Sequence, residues 1–495
     1  MGGYPTRLPA LLTTLAFRHL LVRKLRSLFL LLGFSLGVGV MIVLLSVGEA
    51  MLDQSRDVSL VGGGEVTVLP QGIDVEAMRT GGMGGMFFGI DRARFLTRQV
   101  IGGPRHKDLV RTVSPVIEGK LIYLRRGNRT VAVRAGGEIP SRAYAVGSGL
   151  DLHSGRWDDS PADSVYIAPT AHQLYNELDR FHLPPRPDST WGEWHYFNLV
   201  TGPGEWWYIT YLVGGEVPTG NWGGQLLITR RRPGSRHERF SLQVPSSQVA
   251  IDTSAADLTI GENTVRQRDG IYHLKARVPG EEGEVRIDVD LAPEPNRYFP
   301  PVELREEDFL SGYVVPALDA KASGKICVTG RCNSFSGVPA YHDHNWGVWR
   351  DVTWEWGAGR GTRLSLLYGG VYGPQRDLAE TGSRVNPPFF LTLADSLGVK
   401  QVLRFTGIKY QGARPVPGSG RVTAPAQFTL LGTREVDTVR IDVRVGDVLA
   451  TEMRASKLRR TFLQMRGRFT LTGRVAGETV ADSGTGFFET YVPTP

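Results

Sequence analysis

The run Ala340-Tyr341-His342-Asp343-His344-Asn345-Trp346-Gly347 packs two imidazoles, a carboxylate and an indole into consecutive positions. On a β-strand successive side chains alternate, so His342, His344 and Trp346 share one face and Asp343 and Asn345 share the other. Each ring nitrogen of that row needs a partner if it is buried. Three uses fit. The row can be a satisfied polar belt with its histidines bonded to backbone, the wall of a ligand pocket, or a catalytic group that holds something polar or transiently charged. A His-x-His pair also opens cupin-type metal sites, which need a downstream Glu and a third histidine, and no histidine follows His344. The expectation is no metal and no cofactor.

A row of this kind must be held by strands, and its neighbourhood reads as strands. Nine of the ten tryptophans fall between Trp191 and Trp356. Glu193-Trp194-His195-Tyr196-Phe197-Asn198 and Glu205-Trp206-Trp207-Tyr208-Ile209-Thr210-Tyr211 flank Thr201-Gly202-Pro203-Gly204, which predicts an antiparallel hairpin. Trp206 and Trp207 then point to opposite faces, one into a core and one toward pocket or solvent, and Trp194 suits core or ligand wall equally. Further alternating segments lie at 225–230, 240–244, 264–267, 272–278 and 284–291. Beyond the histidine string they recur at 353–357, 363–372, 388–393, 402–410, 428–431, 439–445, 469–475 and 486–492. Roughly thirteen to sixteen short strands predict two antiparallel barrels. An eight-stranded barrel is just wide enough for one small ligand. Cys327 and Cys332 enclose Val328-Thr329-Gly330-Arg331, a four-residue hairpin loop between short apolar strands. Outside the cytoplasm the pair is a disulfide candidate, with two free thiols as the alternative. No further ligands for a zinc site are evident nearby.

The formal charge of +7 does not point to nucleic acid, because Arg7, Arg18, Arg23, Lys24 and Arg26 supply five of those charges before residue 27. They precede Ser27–Gly48, 22 residues without a charge, and Glu49, Asp53 and Asp57 follow. That length suits a transmembrane helix of about 20 residues. The charge bias puts residues 1–26 in the cytoplasm as a basic amphipathic lead, and the bulk of the chain outside. An uncleaved or late-cleaved secretory signal is the alternative, with the same consequence for compartment. Thr80–Gly89 is glycine-rich with Met and Phe, a loop or a lipid- or partner-touching tip.

Two resemblances refine the picture. The segment from Leu15 to Ser55 looks like the first span of MacB/FtsX-type ABC-transporter permeases. The likeness continues weakly to about Leu183 through Val66-Thr67-Val68-Leu69-Pro70 and the stretch from Asp163 to Leu178. Such permeases carry further spans near the C-terminus, and this sequence has no comparable stretch there. It also lacks a Gly-x-x-x-x-Gly-Lys-Ser/Thr loop, so ATP hydrolysis would fall to a partner. From about residue 190 onward the chain resembles the lipocalin-like superfamily of carotenoid 1,2-hydratase (CrtC type) and AttH-like proteins. Glu193-Trp194-His195-Tyr196-Phe197, the Tyr341–Gly347 string, Trp354-x-Trp356-Gly357 with Tyr368, and Gly484-x-Gly486-Phe487-x-Glu489 carry that likeness.

The second resemblance implies two tandem lipocalin-like barrels and a hydrophobic, isoprenoid- or lipid-like ligand. It makes His344, Trp346 and Tyr368 active-site residues. Hydrating an alkene needs a strong acid and aromatic faces for the cation, which Trp346, Trp354, Trp356 and Tyr368 can supply. The acid expected just after that tyrosine is replaced here by Gly369-Gly370, leaving Asp343 or Asp351 to substitute. His342, Glu193, Trp194, Tyr196, Trp207, Trp354 and Trp356 are the expected ligand-binding residues. The fold expected is mainly β, two tandem barrels preceded by one transmembrane helix and a small α+β extracytoplasmic region. The boundaries run 1–26 lead, 27–48 span, 49–183 truncated permease-like region, 184–190 linker, 191–340 first barrel and 341–495 second barrel with the histidine string at the seam. Two functions follow: an anchored hydrophobic-ligand binder serving an ABC-type permease and ATPase, or an enzyme doing acid-initiated hydration, isomerisation or cyclisation. Expected partners are that ligand, the membrane and the transporter subunits, and not nucleic acid.

Overall fold

The computed structural model describes residues 24–56, 96–127, 129–146, 159–161, 179–184, 186–217, 219–281, 283–306, 309–350, 352–372, 390–453 and 460–494, with 18, 22, 68 and 93. The chain divides into two compact units, Met1–Phe87 with Ser114–Asp159 and Phe88–Val113 with Ser160–Pro495.

In the first unit, helix α1 (Lys24–Arg56) contains the predicted span and continues past it at both ends. Its segment Lys24–Val47 is long and apolar enough to cross a membrane. Strands β1 (Val116–Arg126) and β2 (Arg129–Glu138) form a hairpin. Helix α2 (Pro140–Val146) starts on a proline, which suits a first-turn position that has no helical acceptor for its N–H. The Asp159 carboxylate accepts from the Ser141 N–H at 2.8 Å and its hydroxyl at 2.5 Å. The permease-like stretches at 66–70 (apart from Val68) and 163–178, the Thr80–Gly89 loop and Asp351 lie outside the described residues.

The second unit holds two closed eight-stranded antiparallel barrels. The first is built from β3 (Trp191–Gly202), β4 (Glu205–Gly215), β5 (Trp222–Arg231) and β6 (Glu238–Pro245). A side flap of β7 (Val249–Ile251), β8 (Asp257–Ile260) and β9 (Asn263–Arg268) follows. The wall then resumes with β10 (Ile271–Gly280) and β11 (Gly283–Pro293). After β12 (Phe299–Glu306) come the long β13 (Phe309–Val328) and β14 (Arg331–Val348). The ring order is β3-β4-β5-β6-β10-β11-β13-β14, and β14 closes it by pairing with β3 from Ala340↔Leu199 to Val348↔Trp191. Alternation is clean in β11, whose Val285, Ile287, Val289 and Leu291 point inward.

The second barrel runs in simple sequence order. It consists of β15 (Thr353–Gly361), β16 (Ser365–Tyr372), β17 (Phe390–Asp395), β18 (Gly398–Pro415), β19 (Thr423–Arg434), β20 (Asp437–Met453), β21 (Arg460–Val475) and β22 (Glu478–Pro493). Pairing of β15 with β22 closes it. Each barrel has its own apolar core, and fully burying each Leu, Ile or Phe in them stabilises by about 1.5–3 kcal/mol. A third, mainly aromatic cluster lies between the barrels and includes Tyr196, Tyr208, Tyr313, Tyr341, Trp356 and Phe487.

Three boundaries move. The histidine string sits on β14, a wall strand of the first barrel, so the barrels divide at residues 349–352 and not after residue 340. Residues 160–183 cluster with the barrels and not with the permease-like region, because Asp179, Phe181 and His182 insert into the first barrel. The Cys327–Cys332 loop is a two-residue turn on long strands, since Val328 already pairs with Arg331. Thr329 and Gly330 both have positive φ, 50° and 78°, as a turn matched to strand twist requires. Cys327 and Cys332 are disulfide-bonded across that turn.

Candidate functional site

The predicted alternation of the string is what the strand shows. His342, His344 and Trp346 point into the first barrel, while Tyr341 and Asp343 point out into the aromatic cluster between barrels. The register with β3 decides which partners they meet. His344 lies opposite His195, Trp346 opposite Glu193, and His342 opposite Phe197, against whose ring it stacks at 4.1 Å. Trp346 fits only because Gly312 is opposite it on β13: a Cβ there would sit 2.1 Å from the indole.

Inside the barrel these side chains form one buried polar cluster with Asp179 and His182 from the segment leading into β3. Asp179 Oδ2 contacts His342 Nε2 at 2.8 Å and Oδ1 contacts His344 Nδ1 at 2.8 Å. His344 Nε2 contacts Glu193 Oε1 at 2.8 Å. Glu193 Oε1 also accepts the His182 backbone N–H at 2.7 Å and lies 3.2 Å from His182 Nδ1. His195 Nδ1 is 3.6 Å from Asp179 Oδ2, beyond hydrogen-bond range, and its ring lies 4.1 Å from that of His344, tilted by 31°. His342 Nδ1 is 3.0 Å from the Tyr196 carbonyl, which can only accept, so that nitrogen carries a hydrogen and a further proton lies between Nε2 and Asp179.

The two carboxyls of this cluster are driven apart. Burial would raise Asp179, but the imidazoles of His342 and His195 outweigh it and hold it well below the usual carboxylate range. Burial pushes Glu193 well above its ordinary value, and the nearby Asp179 charge adds to the push. Burial and the neighbouring His195 bring His344 down to about 4; burial and His344 bring His182 down to about 2. A neutral Glu193 donating to His344 Nε2, with His344 Nδ1–H donating to an ionised Asp179, satisfies these contacts. The expected metal-free reading rested on no histidine following His344. His182 and His195 reach the same place from upstream in the chain. Asp179–His195–His344 and His182–Glu193–His344 each bring three donor atoms within 4.8 Å of one another.

The opposite face of β14 builds a second constellation. Asp343 accepts from the Tyr341 hydroxyl at 2.8 Å and the Asn345 amide at 2.7 Å, and Trp356 Nε1 donates to the Tyr341 oxygen at 3.1 Å. Tyr341 packs edge-on to Phe487 at 4.9 Å, with Tyr196 at 5.8 Å from the same ring. Burial drives the Asp343 carboxyl well above its ordinary value, with the neighbouring Glu489 acting in the same direction. Glu489 accepts from Trp354 Nε1 at 2.9 Å and Gln464 Nε2 at 3.2 Å, and burial raises it to about 7.

Gly369-Gly370, which stands where an acid was expected, has a positive role. Gly369 seats Trp356, since a Cβ there would lie 2.3 Å from the indole. Gly370 pairs directly with Glu355, which projects into the second barrel and is raised by burial to about 7. Glu355 accepts from Tyr410 at 2.5 Å and from Thr490 at 2.7 Å.

The structure thus separates residues that the resemblance grouped. His344 and Trp346 belong to the first barrel's interior, with Glu193 and His342. Tyr368 is in the second barrel's core, stacked with Phe405 at 5.9 Å, and does not meet them. Asp343, Tyr196, Trp354, Trp356 and Trp194 face the seam. Trp207 is a first-barrel core residue under the Arg230 guanidinium, while Trp206 faces the seam beneath Arg466, as the opposite-face reading of the pair requires. Sequence reasoning missed Asp179 and His182, which carried no local signal. It also missed His195 and Glu355, both legible in principle from period-two alternation with Glu193 and Gly357.

No protein-family model and no curated protein matches the sequence. Among solved structures, the chain is similar to an AttH-type protein from Nitrosomonas europaea, at 15% identity and a TM-score of 0.41, covering 61% of this chain and 92% of that one. It is also similar to kievitone hydratase from Nectria haematococca, at 14% identity and a TM-score of 0.42, covering 66% and 94%. A third similarity is to CghA with Sch210972, at 8% identity and a TM-score of 0.45, covering 66% and 97%.

Proposed function

We propose that the chain binds a hydrophobic, alkene-bearing molecule at the aromatic seam between its barrels and protonates it from Asp343. The observation that carries this reading is a buried carboxyl, pushed toward its neutral form, facing the rings of Tyr341, Trp356, Tyr196 and Phe487. A neutral carboxylic acid in a dry site is a proton donor at neutral pH. In the reaction the alkene π pair forms the new C–H bond as the Asp343 O–H breaks, leaving a tertiary cation. Each aromatic face stabilises that cation by about 0.5–2 kcal/mol. In hydration a water oxygen then forms the C–O bond, and its surplus proton returns to the Asp343 carboxylate. Return of a different C–H proton to the Asp343 carboxylate forms a shifted alkene and gives isomerisation; attack by a second alkene first forms a C–C bond and a new cation, whose proton loss to the same carboxylate completes cyclisation.

A carrier role would use the same seam without the proton transfer. The apolar helix α1 favours it, because a membrane-tethered barrel can exchange a lipid-like molecule directly with the bilayer. The basic residues before the apolar run of α1 favour a cytoplasmic N-terminus, and a permease and its ATPase are the partners that the permease-like lead suggests. The test is native mass spectrometry and organic extraction of the full chain in detergent, followed by incubation of the recovered ligand with wild type and Asp343→Asn. A gain of one water, or an isomer, formed by wild type and not by Asp343→Asn supports the enzyme. An unchanged ligand with wild type supports carriage. Preparations that carry no apolar molecule and bind no isoprenoid alcohol refute both.

A further inference from the structure

The polar cluster inside the first barrel lies on the opposite face of β14 from the seam, so its role is independent of the function proposed above. We propose that His182 Nδ1, Glu193 and His344 Nε2 are the ligands of a divalent transition-metal ion of the zinc, cobalt or ferrous class.

Four observations carry this. The donor set is two imidazoles and one carboxylate, the composition that both zinc and non-haem iron sites use. The donor atoms are already gathered: Glu193 Oε1 is 2.8 Å from His344 Nε2 and 3.2 Å from His182 Nδ1, and all three donors lie within 4.8 Å. Donors about 2.1 Å from a shared tetrahedral ion are about 3.4 Å apart, so small movements suffice. Second, Glu193 Oε2 is fully buried and has no hydrogen-bond partner among the described residues, an oxygen that a cation would satisfy. Third, His344 uses its other nitrogen, Nδ1, on Asp179, which in turn is braced by His342. A carboxylate behind a ligating imidazole is the usual outer support of a metal site. Fourth, His182 is the cluster's one partly exposed member, at 18%, and gives the ion an entry path. Its ring is held flat against Trp346, with centroids 3.7 Å apart and planes 7° apart, which fixes its aim.

The alternative trio, Asp179, His195 and His344, fits less well, because both Asp179 oxygens are already taken by imidazoles. In the proposed site the ion would tie the 179–184 segment to β3 and β14, closing one side of the barrel.

The test is a Co²⁺ titration of the chelator-treated full chain in detergent, read by visible ligand-field absorption, with Zn²⁺ competition. One equivalent per chain should bind. His182→Ala and Glu193→Gln should each weaken binding by at least about tenfold, and Asp179→Asn by about 10–100-fold. Near-UV circular dichroism checks that each variant folds, and His182→Ala, at the exposed edge, decides the matter if Glu193→Gln does not fold. The absence of a saturable band in wild type overturns the proposal. So does one-equivalent binding that His182→Ala leaves unchanged, which would move the ion to a surface histidine such as His237 or His273.

Discussion

Replacing Glu355 by Gln should make the protein's stability markedly less dependent on pH. Glu355 lies inside the second barrel with its two oxygens held by Tyr410 and Thr490, and burial lifts its carboxyl from 4.5 to about 7. The folded state therefore keeps a proton that the unfolded state releases. A group whose folded pKa is raised contributes its stability below the unfolded value and loses it as pH climbs through the folded value. Here the window runs from about pH 4.5 to pH 7, and at about 1.36 kcal/mol per unit the loss is about 3 kcal/mol by pH 8. Glutamine keeps the shape and can accept from Thr490 while its amide donates to the Tyr410 oxygen, so the substitution removes only the titration. Urea unfolding of wild type and Glu355→Gln, followed by near-UV circular dichroism in detergent at pH 4.5 and pH 8, measures the effect. The variant should gain about 3 kcal/mol on wild type across that interval, while a wild-type slope from Glu489 persists in both proteins. A difference between the two proteins that does not change with pH would refute the reasoning, because it would mean that water reaches the barrel interior and the carboxyl titrates normally.

Three further outcomes follow from the packing. Gly369→Ala forces a methyl group to within 2.3 Å of the Trp356 indole and should cost about 1–3 kcal/mol by thermal unfolding, with a changed tryptophan emission spectrum. Asp319, on β13, is buried and held by Arg297, by Arg360 at 2.6 Å and by Ser365, which joins the first barrel to the second. Asp319→Ala leaves two arginines facing a buried gap and should cost about 3–5 kcal/mol, read as a lowered urea midpoint. The Cys327–Cys332 bond closes a very short loop, so its reduction should remove only about 2 kcal/mol and leave the far-UV spectrum unchanged. A larger loss would mean that the long β13–β14 hairpin depends on it.

Much of this was written locally in the sequence. Period-two alternation fixed the two faces of the histidine string, and the count and spacing of alternating segments fixed a mainly β chain with two barrels. An uncharged apolar run placed a helix over residues 27–48, inside the observed Lys24–Arg56, and two cysteines at hairpin spacing marked a disulfide candidate, with free thiols as the alternative, that the structure shows bonded. These features depend on residues close in the chain, where backbone geometry alone relates side chains to one another. The partners of those side chains did not follow. That Asp179 and His182 complete the cluster, that β14 closes the first barrel and not the second, and that Tyr368 points away from His344 all depend on strand order and barrel closure. The same holds for the acid that faces Gly370: it is Glu355, one strand over, brought there by register and not by sequence adjacency. Alternation tells a side chain which way to face, but only the closed barrel decides what it meets.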